Sequence, residues 1–72
     1  MQEQLSILRK TAQQKMESGS LMKIAEVAAL LDVTASTVHK LPLPSIRVGQ
    51  SLRFDPMDVL RLIEAGKEPV IV

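Results

Sequence analysis

The sequence contains no cysteine, tryptophan or tyrosine, and a single phenylalanine, Phe54. The lack of cysteine excludes disulfides and thiolate zinc sites, and a cytoplasmic location is the expectation that fits it. The lack of aromatics leaves a core to be built from Leu, Ile, Val, Met and Ala. The one histidine, His39, has no second His or Cys to complete a metal site, so neither metal nor cofactor is expected. Scattered carboxylates beside one His make no catalytic constellation, which predicts a protein that is not an enzyme and has no small-molecule substrate. No apolar run approaches membrane-spanning length, and the polar start Met1-Gln2-Glu3-Gln4 does not read as a signal peptide, so no membrane partner is expected.

What is present suits one small globular domain. The chain has 72 residues, 46% of them apolar, near the lower limit for a self-supporting core. Net charge is only +1, but its distribution is uneven. Residues 1–20 set Arg9, Lys10 and Lys15 against Glu3 and Glu17, and residues 55–72 set Arg61 and Lys67 against Asp55, Asp58, Glu64 and Glu68. Between them, Val33 to Phe54 holds Lys40, Arg47 and Arg53 and no acidic residue. An acid-free basic segment in a balanced chain is the footprint of a modest nucleic-acid binder.

The first stretch, Met1 to about Ser18, reads as a helix with a narrow apolar seam of Met1, Leu5, Leu8 and Ala12, broken at Lys15. An amphipathic helix packed on the domain is the leading reading, and a dimerisation helix the other; the seam is short for a coiled coil. Ser18-Gly19-Ser20 is a break. A second helix spans about Ile24 to Leu31, with Ile24, Val27, Ala28 and Leu31 on one face. Asp32 suits the left-handed turn after it, and Val33 is expected to point back into the core. Thr34 is the N-cap of a third helix from Ala35 to about Leu41, stopped by Pro42 and Pro44. Two short helices joined by a tight turn make the helix-turn-helix layout. On the third helix Val38 and Leu41 define the buried side. Ser36, His39 and Lys40 lie opposite, with Thr34, Ala35 and Thr37 towards the N-terminal end. Small and polar residues of this kind suit a major groove.

Ser45 to Phe54 alternates as a β-hairpin. A two-residue Gly49-Gln50 turn would oppose Ile46 to Arg53 and Arg47 to Leu52, splitting the apolar residues between two faces. A three-residue loop, Gly49-Gln50-Ser51, puts Val48 opposite Leu52 and Ile46 opposite Phe54, all on one face, and is the expected register. A five-residue loop is the alternative, because Gly49 rather than Ser51 suits a positive φ. In the expected register Arg47 faces Arg53, and such a pair of like charges points to a phosphate beside it. A last helix starts with Asp55 as N-cap and Pro56 at its first position, buries Val59, Leu62 and Ile63, and ends at Gly66. Asp55 and Asp58 read as a cap and a first-turn charge rather than a catalytic pair. The tail from Lys67 to Val72 is β-prone, and its placement stays open. The organisation is thus a helix and linker over residues 1–20, a domain over 21–66 and a tail over 67–72.

The run Leu21-Met22-Lys23-Ile24-Ala25-Glu26-Val27-Ala28-Ala29-Leu30-Leu31-Asp32-Val33-Thr34-Ala35-Ser36-Thr37-Val38-His39-Lys40 resembles the opening of excisionase-type, MerR-like winged helix domains. Leu43-Pro44-Ser45-Ile46-Arg47-Val48-Gly49 with Leu52-Arg53-Phe54 resembles their wing, and Asp58-Val59 with Leu62 their closing helix. The resemblance implies a mainly α winged helix-turn-helix with a small β-hairpin, preceded by an extra N-terminal helix. It implies double-stranded DNA as partner, with Thr34, Ala35, Ser36, Thr37, His39 and Lys40 in the major groove. Arg47, Gly49, Gln50, Ser51 and Arg53 would then lie along the backbone or minor groove. Lys23, Asp32, His39 and Lys40 depart from the residues frequent at those positions, and the connection between Leu41 and Leu43 is shortened. The implied role is a recombination directionality factor of a phage or mobile element, which binds and bends DNA to assist an integrase. The alternatives are a small transcriptional regulator or, in another class, a protein-interaction module. The latter would meet an integrase or a second copy through Met1, Leu5, Leu8 and Ala12.

Overall fold

The computed structural model describes residues 2–67, with side chains from residue 4 onward. Residues 68–72 of the expected tail, and Met1 of the expected seam, lie outside the described residues. The fold is mainly helical with one small antiparallel sheet. In order it comprises α1 (Gln2–Ser18), α2 (Ile24–Leu31), α3 (Ala35–Lys40), β1 (Ile46–Val48), β2 (Ser51–Arg53) and α4 (Pro56–Gly66). Around one core, α1 packs along α2, α2 against α3, and α1 also touches α4. Ala12, Met22, Val27, Ala28, Val38, Phe54 and Val59 form the buried cluster, with Met16, Ile24, Leu30, Leu31, Leu43 and Ile63 packed around it. Complete burial of an aliphatic side chain such as Val27 or Val59 stabilises by about 1.5–3 kcal/mol.

Short-range chemistry sets the ends of the helices. After α1, Gly19 takes φ 74° and the Ser20 N–H donates to the Lys15 carbonyl, a Schellman closure. At the end of α2, Asp32 adopts φ 58°, ψ 46°, the left-handed conformation anticipated for it. The Val33 N–H then donates to the Ala28 carbonyl at 3.0 Å. The Val33 side chain, expected in the core, is 37% exposed: the closure uses its backbone and leaves the side chain at the surface. The Thr34 hydroxyl accepts from the Thr37 N–H at 3.2 Å to cap α3. The Asp55 carboxylate accepts from the Met57 N–H at 2.9 Å to cap α4, with Pro56 next to it.

α1 lies against the domain through Ala12, which is fully buried, and through half-buried Leu8, Lys15 and Met16. Lys15, where the apolar seam breaks, finds the buried Glu26 carboxylate at 2.8 Å. Glu26 also accepts from the Lys23 N–H at 2.7 Å. It occupies the third position of α2 and satisfies the N-cap N–H of Lys23, while the Lys23 side chain, having no acceptor, makes no reciprocal cap bond. Burial alone would raise the Glu26 carboxyl. The hydrogen bonds from Lys15 and from the Lys23 N–H, with the charges of both lysines, outweigh it and hold the group below the ordinary carboxylate value.

The hairpin differs from expectation. Ile46 pairs with Arg53, Arg47 with Leu52 and Val48 with Ser51, so Gly49 and Gln50 alone form the loop. Gly49 takes φ 62°, which suits the first central position of a two-residue hairpin turn. Phe54 does not oppose Ile46. It pairs with Met22 in an isolated antiparallel bridge, through hydrogen bonds of 2.9 Å in both directions. That bridge draws Phe54 into the core, and the register leaves Ile46 and Val48 on one face of the hairpin and Leu52 on the other. Val48, expected to oppose Leu52, is 53% exposed.

Candidate nucleic-acid interface

The shortened connection after α3 closes through a three-residue turn. The Leu43 N–H donates across Pro42 to the Leu41 carbonyl at 2.8 Å, the hydrogen bond of a γ-turn. α3 ends at Lys40, and Leu41 already has an extended backbone, because Pro42 disfavours helix at the residue before it. Leu41 and Leu43 are half-buried while Pro42 and Pro44 face outward, so the hairpin follows α3 almost directly.

On α3, Val38 is buried and faces α2. Ala35, Ser36, His39 and Lys40 are exposed. Thr34 and Thr37, counted among the groove-facing residues, are partly committed: besides the cap, their hydroxyls lie 3.0 Å apart in a hydrogen bond. The side chains left free to meet a partner are those of Ser36, His39 and Lys40.

In the hairpin, Arg47, Gly49, Gln50 and Ser51 are exposed. Arg53 is half-buried, and its guanidinium donates to the Leu52 carbonyl at 2.8 Å. Directly paired residues share a face and successive residues alternate. Arg47 therefore projects from the face of Leu52, and Arg53 from the opposite face with Ile46 and Ser51. The expected Arg47–Arg53 pair does not form, and the argument for a phosphate held between them falls with it. The turn decided the register, and the turn answered to Gly49 and to the Met22–Phe54 bridge rather than to the hairpin's own apolar pattern.

The charge asymmetry survives folding. The ion pairs among the described residues join Arg9 to Asp32, Lys15 to Glu26, Arg61 to Asp58 and Lys67 to Glu64. None involves Lys40, Arg47 or Arg53. Arg9, absent from the residues picked out by sequence, is drawn to the same region. Its Nε donates to the Ala29 carbonyl at 3.2 Å, and its Nη2 to the Asp32 carboxylate at 2.8 Å. Only the isolation of Asp32 as the single acid from Val27 to Phe54 could have hinted at a basic partner.

Among the described residues no three His, Cys, Asp or Glu side chains cluster to hold a metal, and no helix is long and apolar enough to cross a membrane. In comparisons with known proteins, no family model, no curated protein and no solved structure matches the chain.

Proposed function

We propose that the chain is a sequence-specific double-stranded DNA-binding protein of winged helix-turn-helix architecture, with α2 and α3 as the helix pair and β1–β2 as the wing. The observation that carries this reading is that all three cations between Val33 and Phe54 lack an acidic partner among the described residues. They share that stretch with the exposed Ser36 and His39. Ser36, His39 and Lys40 enter the major groove, where small and polar side chains reach base edges. Arg47 binds the phosphate backbone, and Arg53, half-buried on the other face, contributes less. The chain is not an enzyme in this reading and needs no cofactor.

Within that class the sequence resemblance favours an excisionase-type accessory factor, which occupies adjacent sites and bends DNA for an integrase. A small transcriptional regulator is the alternative. Titration of labelled duplexes across salt concentrations tests the class: two to three phosphate contacts give a slope of roughly −1.8 to −2.7 in log affinity against log salt. Affinity indifferent to salt overturns it. A footprint on DNA flanking the gene separates the roles, with several phased sites near an attachment site for excision and one promoter site for regulation.

One observation favours the protein-interaction reading. Leu5 and Ile7 are 41% and 63% exposed near the start of α1, and Gln4, Ile7 and Leu8 line a shallow depression there. Ala12, expected on that adhesive seam, is buried in the core and unavailable. If α1 is the functional surface, replacing Leu5 and Ile7 with Glu abolishes function while replacing Arg47 has no effect.

A further inference from the structure

Asp32 places a negative charge in the turn between α2 and α3. It is 81% exposed at its side chain and lies two residues before Thr34, the cap of α3. Two Cα–Cα steps span at most about 7.6 Å. The Asp32 backbone therefore sits within roughly one Debye length, about 10 Å at 0.1 M salt, of the N-terminus of α3. In a helix-turn-helix complex the second helix enters the major groove by its N-terminal residues while the first crosses the phosphate backbone, so the turn between the two lies close to DNA charge. Asp32 suits the position for a backbone reason, since Asp accepts the left-handed conformation found there.

The fold supplies a counter-charge from outside the helix pair. Arg9, on α1, binds Asp32 and also the Ala29 carbonyl at the end of α2. The second bond fixes the guanidinium over the turn, adding to a carbonyl that already accepts from the Asp32 N–H. We infer that Arg9 is a positioning residue for DNA binding: it cancels the Asp32 charge at the mouth of α3, so that α1 is part of the DNA-binding unit rather than an appendage. An exposed ion pair of this kind adds little to stability, and its effect is expected on the phosphate partner instead. The inference rests on the DNA-binding reading above.

The test measures duplex affinity and salt slope for the full chain, with thermal melting as a check on folding. Arg9→Ala leaves one uncompensated negative charge, and affinity at 50 mM salt should fall roughly three- to tenfold, with a slope changed by well under the roughly 0.9 that loss of a direct phosphate contact would give. Asp32→Asn, which keeps a residue tolerant of the left-handed turn, should bind more tightly than wild type. The double variant should return to wild-type affinity, because both carry zero net charge at that corner. If Arg9→Ala binds like wild type, the inference is wrong. If the double variant stays as weak as Arg9→Ala, Arg9 contacts DNA itself and the inference is also wrong. Should Arg9→Ala melt below the assay temperature, Asp32→Asn decides alone, since unchanged affinity there overturns the idea. Failure of the DNA-binding reading is distinguishable, because wild-type protein would then show no salt-dependent binding to duplex.

Discussion

Met22 and Phe54 exchange two backbone hydrogen bonds of 2.9 Å, and both side chains are buried. This bridge ties the segment entering α2 to the strand leaving the hairpin, and so holds the hairpin on the helical core. Replacing Phe54 with Ala removes the only aromatic ring and should cost about 3–5 kcal/mol. The whole stability of a domain this size is roughly 4–11 kcal/mol. Thermal unfolding followed by circular dichroism should show Phe54→Ala unfolded or nearly so at 37 °C. Phe54→Leu should stay folded with a loss of about 1.5 kcal/mol or less.

Glu26 predicts a pH dependence. Its carboxyl is held below the ordinary value by Lys15 and the Lys23 N–H, against the opposing effect of burial. A depressed carboxylate stabilises the fold above its unfolded pKa of about 4.3, and that stability is lost as pH falls through the lower, folded value. Glu26→Gln should therefore be less stable than wild type at pH 7, by about 1–3 kcal/mol. The gap should narrow progressively as pH falls below the unfolded value of about 4.3. Melting curves from pH 7 to pH 3 check this, and a gap that does not change with pH would contradict it.

The hairpin register predicts that the two arginines are not equivalent. Arg47→Ala should weaken duplex binding and make the salt slope shallower by about 0.9, as for one lost phosphate contact. Arg53→Ala should change the slope by less than half as much, since its guanidinium is engaged with the Leu52 carbonyl on the other face. Equal losses for the two variants in fluorescence anisotropy titrations would contradict the register's consequence.

At Gly49 an added methyl group meets nothing within 4 Å, so the penalty of Gly49→Ala is purely conformational. With φ at 62°, that penalty should be about 1–2 kcal/mol. Gly66→Ala, at a position without positive φ and equally open, should be neutral or slightly stabilising by the same melting assay, as Ala favours helix over Gly.

The order of the helices, their caps at Thr34 and Asp55, the left-handed Asp32 and the stops at Pro42 and Pro44 were determined by the sequence alone. Each depends on a side chain acting on backbone within a few residues of itself, and such effects do not wait for the rest of the chain. The exposed α3 residues followed for the same reason, since one buried position on a helix assigns its other faces. Tertiary structure joined the local preference of Gly49 in deciding the hairpin register, because Met22, far from Phe54 along the chain, competes with Ile46 for it. It also decided the roles of Arg9 and Lys15. Read locally, these are ordinary polar positions on an amphipathic helix. Only when α1 lies along α2 does Lys15 meet Glu26 at one end and Arg9 meet Asp32 at the other, and long-range charge pairing of this kind leaves no periodic trace in the sequence.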